Sequence, residues 1–171
     1  MVVSGVVLVN NNRFGGQVQL ENLAYDVALS IRQAQVYGIS VQRYGADNFS
    51  SGYGMHFTTD DNVHYELFAD ADEDGFFTTN ENVPPSPYTI RSGFQISHLC
   101  APEGADATSC THVSKLDIIF IRPEPGAFIR KNGESTTMES ARIVLSSPRG
   151  DIMSVTVGAN GQISVLRGAS H

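Results

Sequence analysis

One stretch near the start of the chain decides the fold, and it reads QVQLENLAYDVALSIRQAQVYGISV from Gln17 to Val41. Apolar side chains recur in it at intervals of three and four residues, a spacing that places them on one face of an α-helix. That face comprises Leu20, Leu23, Val27, Ile31, Ala34, Gly38 and Val41. The pattern predicts an amphipathic helix, and Gly15 and Gly16 indicate a hinge or kink just before it.

Beyond Gly45 the chain changes to short runs of β-branched and aromatic residues separated by Gly, Asn, Asp and Pro. Such runs are typical of antiparallel strands, and Asn160-Gly161 predicts a tight hairpin turn because both residues tolerate left-handed backbone conformations. We therefore expect an α+β fold in which the N-terminal helix packs on an antiparallel sheet. The predicted strands are Tyr53–Phe57, Val63–Ala69, Phe94–Leu99, Leu116–Ile121, Ala141–Ser146, Ile152–Val157 and Gln162–Leu166.

Length and charge narrow the class of protein. A chain of 171 residues matches one domain with its own core. Its formal net charge is −7, from 11 basic and 18 acidic residues. Proteins bind duplex nucleic acid largely by neutralising phosphates with Lys and Arg, so this balance makes nucleic acid an unfavourable partner.

The two cysteines, Cys100 and Cys110, flank a polar stretch that contains Gly and Pro. We interpret them as a disulfide, which implies an oxidising compartment. On the chain-entropy model, closing so short a loop stabilises the fold by about 3 kcal/mol. Two alternatives stay open at this point: unpaired thiols, or a Cys2His2 zinc site that adds His98 and His112.

The most specific motif spans residues 70–81, where DADEDGFFTTNE matches the calcium-loop pattern D-x-[DN]-x-[DN]-G-x5-E. Ca²⁺ prefers hard oxygen ligands at flexible geometry, and repulsion among the neighbouring carboxylates also favours a cation. The predicted ligands are Asp70, Asp72, Asp74, the carbonyl of Phe76, Thr78 through a water molecule, and a bidentate Glu81.

The flanking residues set this loop apart from a helix–loop–helix site. The residues before it, His64–Phe68, alternate like a strand, and Pro84 and Pro85 after it oppose a helix. We predict an EF-hand-like loop in a β setting. The alternative is an acidic, solvated turn whose Asp and Gly residues serve turn conformation alone.

Catalysis is not expected. The sequence contains no Gly-x-Ser-x-Gly motif, phosphate-binding loop or zincin helix. His56, His64, His98 and His112 lie in or beside predicted strands, with no nucleophile and orienting group at a recognisable spacing. We predict no catalytic residues and no small-molecule substrate.

The first residues, Met1–Val9, are apolar and uncharged, but a helix that spans a bilayer needs about 20 such residues. The segment also lacks the basic region and cleavage site of a secretory signal. We expect residues 1–14 to be the remnant of a longer hydrophobic helix and residues 15–171 to form a globular head, with its helix at about 17–42 and its sheet at about 53–167. The alternative is a core strand over Met1–Val9.

An apolar segment that runs into an amphipathic helix, followed by antiparallel strands and a late Cys-Cys loop, resembles the type IV pilins and pseudopilins. The nearest resemblance is to the GspH/FimT-like minor pilins. It lies in residues 6–14, in Leu23–Gln35, and in 141–165. The leader and cleavage-site motif that are most specific to that family do not occur in this sequence.

The resemblance implies a structural subunit, a minor pilin or pseudopilin, of a type IV pilus or a type II secretion-like filament. Its partners would be other pilin or pseudopilin subunits and, through the missing N-terminal helix, a membrane. Such a subunit is exported, anchored in the inner membrane before assembly, and then part of a periplasmic or extracellular filament.

Two other functions are considered. The first is a calcium-dependent binding or adhesion module at a filament tip or cell surface, suggested by the acidic loop and the insert that follows it. The second is DNA uptake, since some FimT-like minor pilins bind DNA and Arg142, Arg149 and Arg167 lie in the C-terminal part. The net charge of −7 weighs against DNA.

Overall fold

A computed structural model describes residues 3–40 and 52–168, with the backbone alone described for residues 3–14. Helix α1 extends over Val3–Ile39 and continues through Gly15 and Gly16, so these glycines do not interrupt it. The alternative of a core strand in residues 3–9 is therefore wrong. The helix ends before the predicted position of about 42, and Val41 lies outside the described residues.

Eleven strands follow among the described residues, and all seven predicted strands are present, with boundaries shifted by at most one residue. The four that the sequence patterns missed are β3, β5, β7 and β8, of which three are only two residues long. The strands are β1 (Gly52–Thr58), β2 (His64–Asp70), β3 (Tyr88–Thr89), β4 (Gln95–Cys100), β5 (His112–Val113), β6 (Lys115–Phe120), β7 (Ala127–Lys131), β8 (Thr137–Met138), β9 (Ser140–Ser146), β10 (Ile152–Gly158) and β11 (Ile163–Arg167).

The strands form two antiparallel sheets, so the α+β class is confirmed and the expectation of a single sheet is wrong. The first sheet has the order β3-β2-β1-β6-β7-β8, and the second has the order β11-β10-β9-β4-β5. Strand β4 pairs with β9 on one side and with its sequence neighbour β5 on the other, while β6 returns to β1. Only Ser114 separates β5 from β6, although the two strands belong to different sheets.

Helix α1 packs across both sheets through the predicted apolar face. Leu20, Val27, Ile31 and Ala34 are buried, and Ala24 joins them. They share one core with side chains of β1, β6 and β10, including Met55, Phe57, Leu116, Ile118, Val155 and Val157. Each buried Leu, Ile, Val, Met or Phe side chain in this contact contributes about 1.5–3 kcal/mol, so the contact is the main source of stability for the helix.

The close approach of Gly38 to β6 determines the distance between the end of helix α1 and the first sheet. A Cβ atom at Gly38 would overlap the backbone carbonyl of Phe120 in β6, so the last turn of the helix can lie on this strand only with glycine there. Among the described residues, no helix is both long enough and apolar enough to span a membrane.

The predicted hairpin of β10 and β11 is present, but its turn is wider than a two-residue turn. Strand pairing ends at Val157 and Ile163, and the N–H of Gly158 donates to the carbonyl of Gln162 at 2.9 Å. Gly161 alone in this turn has positive φ, at 81°. The side chain of Gln35 donates to the carbonyls of Gly161 and Pro125, which ties the turn to helix α1.

Candidate metal site and the adjoining cleft

The acidic loop, residues 70–81, leaves the first sheet at the end of β2 and returns beside it. The N–H of Ala69 donates to the carbonyl of Glu81 at 3.0 Å, and the N–H of Val83 donates to the carbonyl of Leu67 at 2.9 Å. These bonds extend strand pairing to both ends of the loop. The strand alternation of residues 64–68 therefore leads directly into the motif, as the sequence predicted for a loop in a β setting.

Three predicted ligands converge inside the loop. Carboxylate oxygens of Asp70, Asp72 and Asp74 lie within 4.8 Å of one another; Asp70 is buried and the other two are exposed. The N–H of Gly75 donates to both oxygens of Asp70, at 3.2 and 3.1 Å. Hard carboxylate oxygens gathered at this separation fit a divalent cation such as Ca²⁺.

The environment of Asp70 disfavours its charge. Burial raises the pKa of the Asp70 carboxyl; the Gly75 N–H offsets part of that rise, and the nearby charges of Glu81, Asp74 and Asp72 add to it. Ionising Asp70 without a compensating cation therefore opposes folding. A bound cation would remove this penalty.

Glu81 and Thr78 form the base of the loop rather than joining the three aspartates. One Glu81 oxygen accepts the Ala71 N–H at 2.9 Å, and the other accepts the N–H and hydroxyl of Thr78 at 3.0 and 2.8 Å. The side chain of Glu81 is 2% exposed. Ligation by Glu81 or Thr78 would require these bonds to rearrange, and the carbonyl of Phe76 stays a predicted ligand.

Arg130 of β7 holds the loop against the sheet. Its guanidinium donates to the carbonyl of Asp74 and lies 4.9 Å from the centroid of the Phe76 ring, a cation–π contact. Gly75 has φ of 76°, and a Cβ atom there would overlap the guanidinium. Glycine is thus required at this position both by the backbone and by its neighbour.

Beneath the loop, four charged or titratable side chains form one row across the first sheet. Strand register aligns Glu66 with His56, His56 with Asp117, and Asp117 with Arg130. Nδ1 of His56 lies 2.7 Å from Oδ1 of Asp117. Within the described part of the chain, Oε2 of Glu66 and Nε of Arg130 are buried without a hydrogen-bond partner.

A cleft of about 510 Å³ opens between the loop and this row. The loop contributes an aromatic wall, in which Phe77 stacks on His56 with ring centroids 4.7 Å apart. Polar groups form the rest of the lining. The residues around the cleft include His56, Phe76, Phe77, Thr78, Lys115 and Asp117.

The sequence patterns missed this row and the role of Arg130. His56 and Asp117 are 61 positions apart, and Arg130 is 56 positions from Asp74. Only the strand register brings them together, and no local pattern encodes that register. The predicted Cys100–Cys110 disulfide is present, so the alternative of unpaired thiols is wrong for this structure.

Comparison with known proteins adds no further assignment, because no family model, curated protein or solved structure matches the chain.

Proposed function

We propose that this protein is a structural subunit of an extracellular or periplasmic filament, a minor pilin or pseudopilin of a type IV pilus or a type II secretion-like filament. The fold would be of the pilin type, with α1 continuing a membrane and filament-core helix. The proposal also includes export of the protein. Its partners would be other pilin or pseudopilin subunits. The observation that carries it is a second apolar stripe on the outer side of α1.

The outer stripe consists of Val18, Tyr25, Leu29 and Val36, which are 53%, 51%, 65% and 53% exposed. Their separations of seven, four and seven residues place them along one line of a helix. Leu20, Val27 and Ile31 lie on the opposite, buried side. Helix α1 is thus apolar on two opposite sides, of which this chain covers one.

Single exposed apolar residues are ordinary, whereas an aligned apolar stripe along a helix is typical of a helix that packs against a partner. In a filament, the same stripe on each subunit can pack against helices of its neighbours. An amphipathic helix has a polar side opposite its buried one, so the sequence prediction did not include this second apolar stripe.

Leu29→Lys tests the assembly role in a cell that builds the filament from the full-length gene product. We expect the variant to fold with an unchanged melting temperature, because the side chain is 65% exposed, and to be lost from sheared filaments. Phe128→Lys is the matched control, an apolar residue 43% exposed on β7, away from the helix. Normal incorporation of Leu29→Lys would contradict the proposal.

We further propose that the acidic loop binds one Ca²⁺ through Asp70, Asp72 and Asp74 and stiffens this part of the head. Calcium at 100 times its Kd would stabilise the fold by about 2.7 kcal/mol, equivalent to about 5–10 °C in melting temperature for a chain of this size. The loop and Arg130 would then form a rigid lid on the sheet.

Calorimetric titration of Ca²⁺ into chelator-treated protein tests this site with two variants that each remove one negative charge. Asp72→Asn removes a proposed ligand and should weaken binding at least about tenfold, or ~1.4 kcal/mol. Glu73→Gln removes a charge between the ligand positions and should change the Kd by less than about threefold. If both variants weaken calcium binding equally, the loop attracts calcium only as a diffuse acidic patch and has no specific ligands.

A second function, a calcium-dependent binding module, is favoured by the cleft beside the loop. Phe76, Phe77 and Thr78 belong to the loop and also line the cleft, so calcium would order one wall of it. Aromatic and polar groups together suit a glycan. A glycan array probed with and without calcium tests this role. A glycan that binds only with calcium and is lost in Phe77→Ala supports the role. Glycan binding that changes neither with calcium nor with Phe77→Ala overturns it.

DNA uptake receives less support from the arginines that suggested it. Arg142 is 4% exposed and donates to the carbonyls of Glu103 and Gly104 and to the hydroxyl of Ser154. Nη2 of Arg167 lies 3.4 Å from Oε2 of Glu21, an ion pair at the surface. A buried guanidinium engaged in this way does not contact phosphates.

A further inference from the structure

A second group of metal-ligating side chains lies on the second sheet, far along the chain from the acidic loop. His98 and Cys100 are two residues apart on β4, so both side chains lie on the same face of the strand. His112 of β5 lies directly opposite Cys100. Leu99, on the other face, belongs to the main core, so this group occupies the outer face of the sheet.

The ligand atoms of this group already lie close together. One atom each of His98, Cys110 and His112 lies within 4.8 Å of the other two, and Cys100 is bonded to Cys110. The imidazole rings of His98 and His112 stack with centroids 4.5 Å apart. Tetrahedral zinc with His and Cys ligands needs separations of about 3.3–3.8 Å, so a contraction of about 1 Å would close the site.

The position of the group also favours a metal. His112 is exposed, so an ion can reach the group from solvent.

We propose that these four side chains form a redox-controlled zinc site, in which Zn²⁺ replaces the Cys100–Cys110 disulfide once a dithiol has reduced it. Two electrons pass from the dithiol, which becomes a disulfide, to the S–S bond, which becomes two thiols. Zn²⁺ then displaces the two thiol protons and binds two thiolates together with His98 and His112. The disulfide and the metal exclude each other because they use the same two sulfur atoms.

The surrounding residues suit both states. In the disulfide form, Nε2–H of His98 donates to the Ala107 carbonyl at 2.7 Å. Binding through Nε2 requires the Nδ1–H tautomer, and the hydroxyl oxygen of Ser97, 3.2 Å from Nδ1, can accept a hydrogen bond from that N–H. A carbonyl or hydroxyl that orients a ligating histidine in this way is a usual part of a zinc site.

Arg142 would keep the loop in place when the disulfide opens. It lies opposite Cys100 on β9 and donates to the carbonyls of Glu103 and Gly104, at 3.0 and 3.3 Å. Zn²⁺ with two thiolates has no net charge, so the guanidinium does not repel the occupied site.

Binding of Co²⁺ as a spectroscopic substitute, followed by Zn²⁺ competition, tests the proposal on the untagged full chain. The protein is reduced with a phosphine, desalted under argon, and kept in excess Ca²⁺ so that the acidic loop is not available. We expect one metal ion per reduced chain with a thiolate-to-cobalt charge-transfer band, and binding at least about 100-fold weaker in the oxidised chain, which offers no thiolates.

Three variants locate the site. His112→Ala and the double variant Cys100→Ser with Cys110→Ser should lose the charge-transfer band, while His64→Ala, a histidine of the first sheet, should keep it. Equal metal binding by oxidised and reduced chains, or a band that survives His112→Ala, would overturn the proposal. If the reduced chain unfolds, zinc must restore its native circular dichroism; binding without refolding would also overturn it. The charge-transfer band requires thiolate ligands, which the acidic loop lacks, so these results do not depend on the filament or calcium proposals.

Discussion

The acidic loop and the disulfide loop, residues 100–110, are of similar length, yet different forces hold them closed. Hydrogen bonds from N–H groups to the carboxylates of Asp70 and Glu81 close the acidic loop. A covalent bond closes the disulfide loop, and Arg142 binds its carbonyls from the sheet side. Negative charge is concentrated in the first loop, whereas the second depends on neutral or cationic donors.

The pKa values of one aspartate in each loop differ in the direction of their shift. Burial raises the pKa of Asp70 in the acidic loop. In the disulfide loop, hydrogen bonds from Thr108 and Ser109 lower the pKa of the fully exposed Asp106 to about 2. Ionisation therefore opposes folding at Asp70 and supports it at Asp106. The comparison therefore predicts that a cation bound near Asp70 would stabilise the acidic loop, whereas Asp106 already supports the disulfide loop in its ionised form.

The largest expected effect is loss of the covalent closure. Cys100→Ser combined with Cys110→Ser should lower the free energy of unfolding by about 3 kcal/mol, since the unfolded chain regains its loop entropy. The melting temperature should fall by about 6–12 °C. Denaturant titration in chelator measures the change, with Asp72→Asn as a control that should not lose stability there. A double variant as stable as the parent would remove the basis for treating the two loops as different.

Gly75→Ala should have the next largest effect. The substitution strains a backbone with φ of 76° and pushes Arg130 away from Asp74 and Phe76, with a total loss of about 2 kcal/mol. Gly133→Ala is the matched control, since Gly133 has φ of 75° and no neighbouring atom within 4 Å. Gly133→Ala should lose only about 1 kcal/mol of stability, which comes from backbone strain alone. Thermal melts that rank the two variants equally would mean that Arg130 does not hold the loop.

Asp70→Asn should stabilise the protein at pH 7 in chelator. The folded-state pKa of Asp70 is raised, so the folded state holds the proton more tightly, and stability falls as pH rises from about 4 through that pKa. The Asn variant lacks this loss, so its advantage should shrink as pH approaches 3. It should also lose the calcium-induced rise in melting temperature. Lower stability of the variant at every pH would show that ionised Asp70 supports the fold without a cation.

Asp106→Asn should have the smallest effect, confined to acid. The folded-state pKa of Asp106, about 2, lies below its ordinary value of 3.8, so its contribution is present above pH 3.8 and disappears as pH falls to 2. The variant should unfold at slightly higher pH than the parent during acid titration, with calcium making no difference. Solvent exposure keeps the effect small. If calcium altered the difference in unfolding pH between Asp106→Asn and the parent, the stabilities of the two loops would be coupled.

Local patterns predicted much of the fold because the forces behind them are local. The period of the apolar residues specified the buried face of α1, and alternation with turn residues located seven strands. The two-residue strands β3, β5 and β8 are too short to show a period, and β7 was overlooked. The number of sheets depends on which strands pair over long separations, and no pattern within a strand contains that information.

By itself, then, the sequence determined the helix, most of the strands, the disulfide partners and the acidic loop, because each depends on residues near one another in the chain. Tertiary structure alone decided the pairing of His56 with Asp117 and the position of Arg130 under the acidic loop. It also decided that His112 meets His98, which the sequence had left as one alternative. These contacts follow from strand register, which is set when the apolar faces of both sheets are buried against α1. Burial of the whole core, rather than any single segment, selects that register.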